Sequence, residues 1–233
     1  DDIASLFIEK FKLKHTRRVP NLSSPLLRWT DFTSRYIPPV PRQVALSKEL
    51  SRNLAPTIKQ SLKRLITKIQ AGEDINPYQG RGLIDDHDTS SKRNCARTDL
   101  LFADWGIHHL HLTNKPIANG EYFSPRSDWH LFLWIQNNVV LLIDIASHKA
   151  SESLVNIDLL KIIHKNWPEV LDHYKVRGIL PTHSRRSNAQ VKQFRKVALN
   201  SFINISGDLF MSPGGGITSA STSLIGSRLS SEI

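Results

Sequence analysis

The sequence predicts an α+β protein: a mainly antiparallel sheet flanked by helices, preceded by a basic, partly helical N-terminal region. Three observations point there. An apolar stripe at helical spacing runs through residues 56–71. Two β-like runs, about 129–136 and 139–146, flank Asn137-Asn138. Helical patterns that can cover such a sheet follow the second run.

At 233 residues the chain is long enough for a substantial core. Three segments are expected: 1–90, basic and partly helical; 91–211, an α+β sheet domain; and 212–233, a tail rich in Gly, Ser and Thr. Residues 1–54 read as loops and short elements, because Ile37-Pro38-Pro39-Val40-Pro41 cannot run as a helix. The first helix is expected over 56–71, where Ile58, Leu62, Leu65, Ile66 and Ile69 share a face and Gly72 supplies a C-terminal stop. Lys59, Lys63, Arg64 and Lys68 take its other side.

Residues 72–97 carry turn formers and mixed charge, including Asp85-Asp86-His87-Asp88, and read as a long surface segment. A strand is expected near 107–113. Asparagine tolerates the left-handed conformation that two-residue hairpin turns require, so 129–136 should pair with 139–146. Both hairpin strands read as buried on two faces. Covering helices are expected from about Asn156 to Trp167, where Pro168 intervenes, and over about 188–200. A short hairpin, Phe202 to Ile205 with Leu209 to Met211, precedes Gly214-Gly215-Gly216, which reads as a flexible linker or turn.

The formal charge is +10, and it is uneven: residues 1–80 hold 14 Lys and Arg against 7 Asp and Glu. Such an excess favours polyanion partners, because cations that neutralise phosphates release counterions. Nucleic acid is the leading expectation, RNA ahead of DNA, with the basic face of the 56–71 helix as its binding surface. No apolar run is long enough to span a bilayer, and Asp1-Asp2-Ile3-Ala4-Ser5 lacks the order of a signal peptide. The single cysteine, Cys95, forbids an internal disulfide and fits a reducing cytosol.

The chemistry-bearing feature is Trp105-Gly106-Ile107-His108-His109-Leu110-His111-Leu112. Alternation along a strand puts His109 and His111 on one face, roughly 7 Å apart, with His108 among the leucines. Metal-free RNA cleavage needs a base for the 2′-hydroxyl, an acid for the leaving 5′-oxygen and a cation for the phosphorane charge. Histidine serves the first two near neutral pH. His109 and His111 are the candidates, His148 is a third, and Lys115 and Arg126 are candidate charge stabilisers, with neither cofactor nor metal required. A rival reading uses His109 and His111 with Asp104, Asp128 or Asp144 as metal ligands of a hydrolase. A further alternative is a non-catalytic nucleic-acid-binding or toxin–antitoxin interaction module.

In element order, and in His109, His111, His148 and Arg126 on a sheet, residues 97–211 resemble the bacterial toxin-type endoribonucleases of the RelE and EndoU grouping. The resemblance implies metal-independent RNA cleavage. Tyr122, Phe132 and Trp134 are then candidates for stacking on unpaired bases, the last two being equally placed to serve the core.

Overall fold

The computed structural model describes residues 5–6, 9–10, 25–50, 54–84, 98–147, 157–179, 187, 190, 193–194, 202–218 and 223–231. In chain order the elements are α1 (Pro25–Arg35), β1 (Gln43–Leu46), α2 (Pro56–Ala71), α3 (Leu100–Trp105), β2 (His108–His111), β3 (Trp129–Ile135), β4 (Val139–Ser147), α4 (Ile157–Asn166), α5 (Pro168–Asp172), β5 (Ile203–Ile205), β6 (Asp208–Phe210) and α6 (Leu224–Ser231). The protein is α+β, with a mixed, mostly antiparallel four-stranded sheet flanked by helices. Among the described residues no helix is long and apolar enough to cross a membrane.

The chain divides into two compact units. One holds Asp1–Tyr36, Arg81–Gly106 and Val176–Ile233; the other holds Ile37–Gly80 and Ile107–Lys175. This division groups residues differently from the consecutive segments expected from sequence. Helix α2 belongs with the sheet, because its stripe of Ile58, Leu62, Leu65 and Ile69 shares a core with Leu110, Leu112, Leu131, Leu133, Val140 and Leu142. Each such side chain, once fully buried, contributes about 1.5–3 kcal/mol.

The sheet of this second unit runs β1-β4-β3-β2. Strands β3 and β4 form the expected hairpin, with Ile135 opposite Val140 and the Gln136 N–H donating to the Val139 carbonyl at 2.9 Å. Strand β2 adds antiparallel to β3, placing His111 opposite His130 and Leu110 opposite Leu131. Strand β1 joins the far edge parallel to β4. It is one of the short elements expected before residue 54, its four residues too few to show a pattern.

Phe132 pairs with Asp144 but Leu133 pairs with Leu142, so Ile143 is the extra residue of a β-bulge. The bulge reverses the alternation of β4. Ile145 thereby packs on the leucine face, and Asp144 joins the face of Phe132 and His130. That second face also carries Trp134, whose ring lies 6.3 Å from Tyr174 just after α5. Helix α4 occupies Ile157–Asn166 within the expected span, and Pro168 begins α5 instead of simply ending a helix.

One expectation for the loops is corrected. Residues 75–83 are not a surface segment: Ile75, Asn76, Tyr78, Gln79 and Leu83 are buried. The Asn76 side chain explains the first part, accepting from the Ile37 N–H and donating to the Ile37 carbonyl, both at 2.8 Å. It acts as a strand partner for an isolated backbone residue. Asp85 to Asp88 and Cys95 lie outside the described residues, as does most of the helix expected over 188–200.

In the first unit, α1 is a helix of the expected partly helical N-terminal region, where no individual helix was located from sequence. Its buried face is charged: Arg28, Asp31 and Arg35 are each at most 4% exposed. Arg28 Nη1 and Arg35 Nη1 both donate to Asp31 Oδ2, at 3.3 and 3.2 Å. Arg28 also donates to the Leu83 carbonyl and Arg35 to the Gly82 carbonyl. The charges cluster on the buried side of this helix, the reverse of the usual apolar stripe.

Strands β5 and β6 form the expected short hairpin around Ser206-Gly207. The glycines after it take the turn of the two expected alternatives, with the Gly215 N–H donating to the Ser212 carbonyl. A Cβ on Gly214 would lie 2.3 Å from the Phe102 carbonyl oxygen and 2.4 Å from that of Ala103. Glycine is required there because backbone meets backbone. The Gly214 and Gly216 N–H groups donate to the Asp104 and Ala103 carbonyls at the end of α3. These amides are engaged with the helix rather than directed at a phosphate.

Candidate functional site

The histidine site belongs to the second unit and is built by β2 and β3. Their antiparallel register puts His109, His111 and His130 on the sheet face opposite the leucine core. The rings form a row. His130 stands 5.3 Å from His109, nearly edge-on at 81°, and 4.6 Å from His111. His109 and His111 thus share a face as the sequence predicts, with His130 between them.

His130 escaped the sequence reading. It shares the alternation of Phe132 and Trp134, and only the β2–β3 register brings it opposite His111. A hint was present, because two strands joined by one loop pair in antiparallel fashion more often than not. His108, 7% exposed, lies on the face of Leu110 and Leu133 as expected.

Exposure differs along the row. His130 is 4% exposed and His111 9%, whereas His109 is half-buried. Nδ1 of His111 lies 3.3 Å from the Ser127 carbonyl and 3.4 Å from the Ser127 N–H. One or the other bond forms according to tautomer, leaving Nε2 as the second functional atom of that ring. Gly80 stands beside His109: a Cβ on Gly80 would come 4.0 Å from His109 Nε2 and meet no other atom within that range. The Gly80 backbone therefore passes close to this nitrogen.

Two positive charges placed on rings 4.6 Å apart would repel, so the His111–His130 pair resists holding both at once.

Arg126 directly precedes Ser127, whose backbone lies against His111 Nδ1. Lys115 and Arg126 are both exposed in the β2–β3 loop, and neither makes a hydrogen bond or ion pair with an imidazole among the described residues. His148 lies outside the described residues. Phe132 and Trp134 are core residues at 1% and 8% exposure, so neither offers a stacking face; Tyr122 is exposed and donates to Asp74 at 3.3 Å. For the metal alternative, no group of three His, Cys, Asp or Glu side chains among the described residues is arranged to hold an ion. Asp144 shares the histidine face, with Oδ1 accepting from the Ile145 N–H, while Asp104 lies in the other unit.

The cationic face of α2 is a second feature of the same unit. Lys59, Lys63 and Arg64 are exposed, and Lys68 is half-buried and ion-paired with Glu73. Asn114, at the end of β2, clasps this helix. Its Nδ2 donates to the Thr57 carbonyl and to Gln60 Oε1, each at 3.1 Å, and its Oδ1 accepts from Ser61 Oγ at 2.8 Å. Arg64 Nη1 in turn donates to the Asn114 carbonyl at 3.2 Å. No sequence signal marked Asn114, since its partners lie 50 or more positions away.

Comparison of the chain with protein-family models, with curated proteins and with solved structures finds no match in any of the three.

Proposed function

We propose that this protein binds RNA through the cationic face of α2, in a reducing, cytoplasmic setting. The observation that carries this reading is the exposed series Lys59, Lys63 and Arg64, which makes no ion pair with a carboxylate among the described residues. In a chain of net charge +10, such a face attracts phosphates and gains affinity by counterion release. The experiment is fluorescence anisotropy of a labelled RNA oligonucleotide across a salt series, with the parent and the triple variant K59A/K63A/R64A. The parent should bind with a steep salt dependence that the variant largely loses. Binding of equal strength and slope by the two proteins refutes the reading.

The three-ring row favours a second reading: RNA cleavage of the kind implied by the toxin-type endoribonuclease resemblance. A neutral imidazole of His109 or His111 takes the 2′-hydroxyl proton as the 2′-oxygen attacks phosphorus. A protonated one donates to the departing 5′-oxygen as the P–O5′ bond breaks, leaving a 2′,3′-cyclic phosphate and a 5′-hydroxyl. Product analysis in the presence of chelator tests this directly. Cyclic-phosphate ends should form with the parent and vanish in H109A/H111A. In Gly80→Leu, whose side chain would cover His109 Nε2, cutting should fall at least tenfold while RNA binding persists. Cutting at the parental rate by H109A/H111A removes this reading and leaves a binding module.

A further inference from the structure

We propose that Lys115 is a phosphate-backbone contact of the α2 surface instead of a charge stabiliser for the histidines, and that Asn114 is the positioning residue that puts it there. This inference rests on the RNA-binding reading above and names which cations meet the strand. The clasp is the argument. Asn114 is bonded along the first three turns of α2, at Thr57, Gln60, Ser61 and Arg64. Lys115 is the next residue, so its Cα lies about 3.8 Å further along the chain. Its own N–H donates to Thr113 Oγ1 at 3.1 Å, which fixes the turn from which the side chain leaves.

Lys115 thus emerges beside Arg64, at one edge of the exposed face of α2, with Lys59 and Lys63 toward its other edge. Lys59 and Lys63, one turn apart, are separated by about 6 Å along the helix axis. Arg64 spends one donor on a neutral carbonyl, so its charge stays uncompensated. Helix α2 has no acidic residue in its first turn. The result is a composite surface of Lys59, Lys63, Arg64 and Lys115, contributed by two segments distant in sequence. Lys68 falls outside it, because Glu73 neutralises that ammonium. The partner is the sugar–phosphate backbone of an RNA strand, read by charge and not by base.

The test uses the full chain and a labelled 2′-O-methyl oligouridylate, which keeps the phosphates but blocks the 2′-oxygen nucleophile and so cannot be cut by the proposed chemistry. For a single strand, each lost phosphate contact lowers the slope of log K against log salt by about 0.7. Lys115→Ala should lose that much, as Lys63→Ala does, while Lys68→Ala and Arg126→Ala keep the parental slope. Asn114→Ala removes no charge, yet should lower the slope through Lys115; adding it to Lys115→Ala should then change little further. If Lys63→Ala behaves as stated and Lys115→Ala keeps the full slope, this inference alone fails. It also fails if Lys115→Ala slows cleavage of unmodified RNA without altering the slope. A parent that shows no salt-dependent binding overturns the RNA-binding reading and this inference with it.

Discussion

Replacing Gly72 by alanine isolates how the end of α2 is joined to the sheet. Gly72 has φ of +72°, and its N–H donates to the Ile69 carbonyl while the Glu73 N–H donates to that of Lys68. These two bonds make a Schellman motif, which satisfies carbonyls the helix would otherwise leave open. A Cβ at this position would lie 2.6 Å from both Cδ and N of Pro41 and 2.9 Å from the Val40 carbonyl carbon. None of these atoms sits at the end of a flexible side chain. The Arg42 N–H is bonded to the Ile69 carbonyl, so this backbone is held against the helix. The left-handed conformation costs an L-residue roughly 1–2 kcal/mol, and the overlap adds about 1–3 kcal/mol. Gly120 is the internal control: its φ is +81°, but a Cβ there meets nothing within 4 Å. Urea unfolding followed by tryptophan fluorescence should place G72A about 1–3 kcal/mol below G120A, with m unchanged. Equal destabilisation of the two variants would show that close backbone packing at Pro41 contributes nothing, and the steric reasoning would be wrong.

Two further stability outcomes follow from single side chains. Asn76→Ala should cost about 2–5 kcal/mol, because it leaves the Ile37 N–H and carbonyl without their partner inside the protein; a loss under about 1 kcal/mol in the same unfolding assay would contradict that account. Glu49 accepts from Lys165 Nζ at 2.7 Å and Asn166 Nδ2 at 2.8 Å, and these bonds hold its carboxyl below the ordinary value. A depressed folded-state value means that the stabilisation is present above the unfolded-state value and lost as pH falls through the folded one. The parent should therefore exceed Glu49→Gln by a constant margin at neutral pH, under about 1 kcal/mol since Lys165 is largely exposed. That margin should shrink as the medium is acidified past the usual carboxylate range, and a margin that grows there would reverse the sign of the argument.

Much of the second unit was readable from residue order alone. The stripe ending at Gly72 located α2, and the apolar runs on either side of Asn137-Asn138 located β3 and β4, because burial repeats with a period that the local backbone imposes. His109 and His111 sharing a face follows from the same periodicity. Helix α1 was hidden because Arg28, Asp31 and Arg35 bury charge where a stripe would show hydrocarbon. The β1 strand was hidden because a parallel edge pairing with β4 is a long-range event without a local mark. The site itself was half visible. Strand register brought His130 between the other two rings, the bulge at Ile143 turned Asp144 onto their face, and the Asn114 clasp carried Lys115 to α2. Residue order determined which faces these strands and helices bury, since that is encoded every two or 3.6 positions. Tertiary structure alone decided which side chains meet, since register, bulges and loop docking depend on partners tens of residues away.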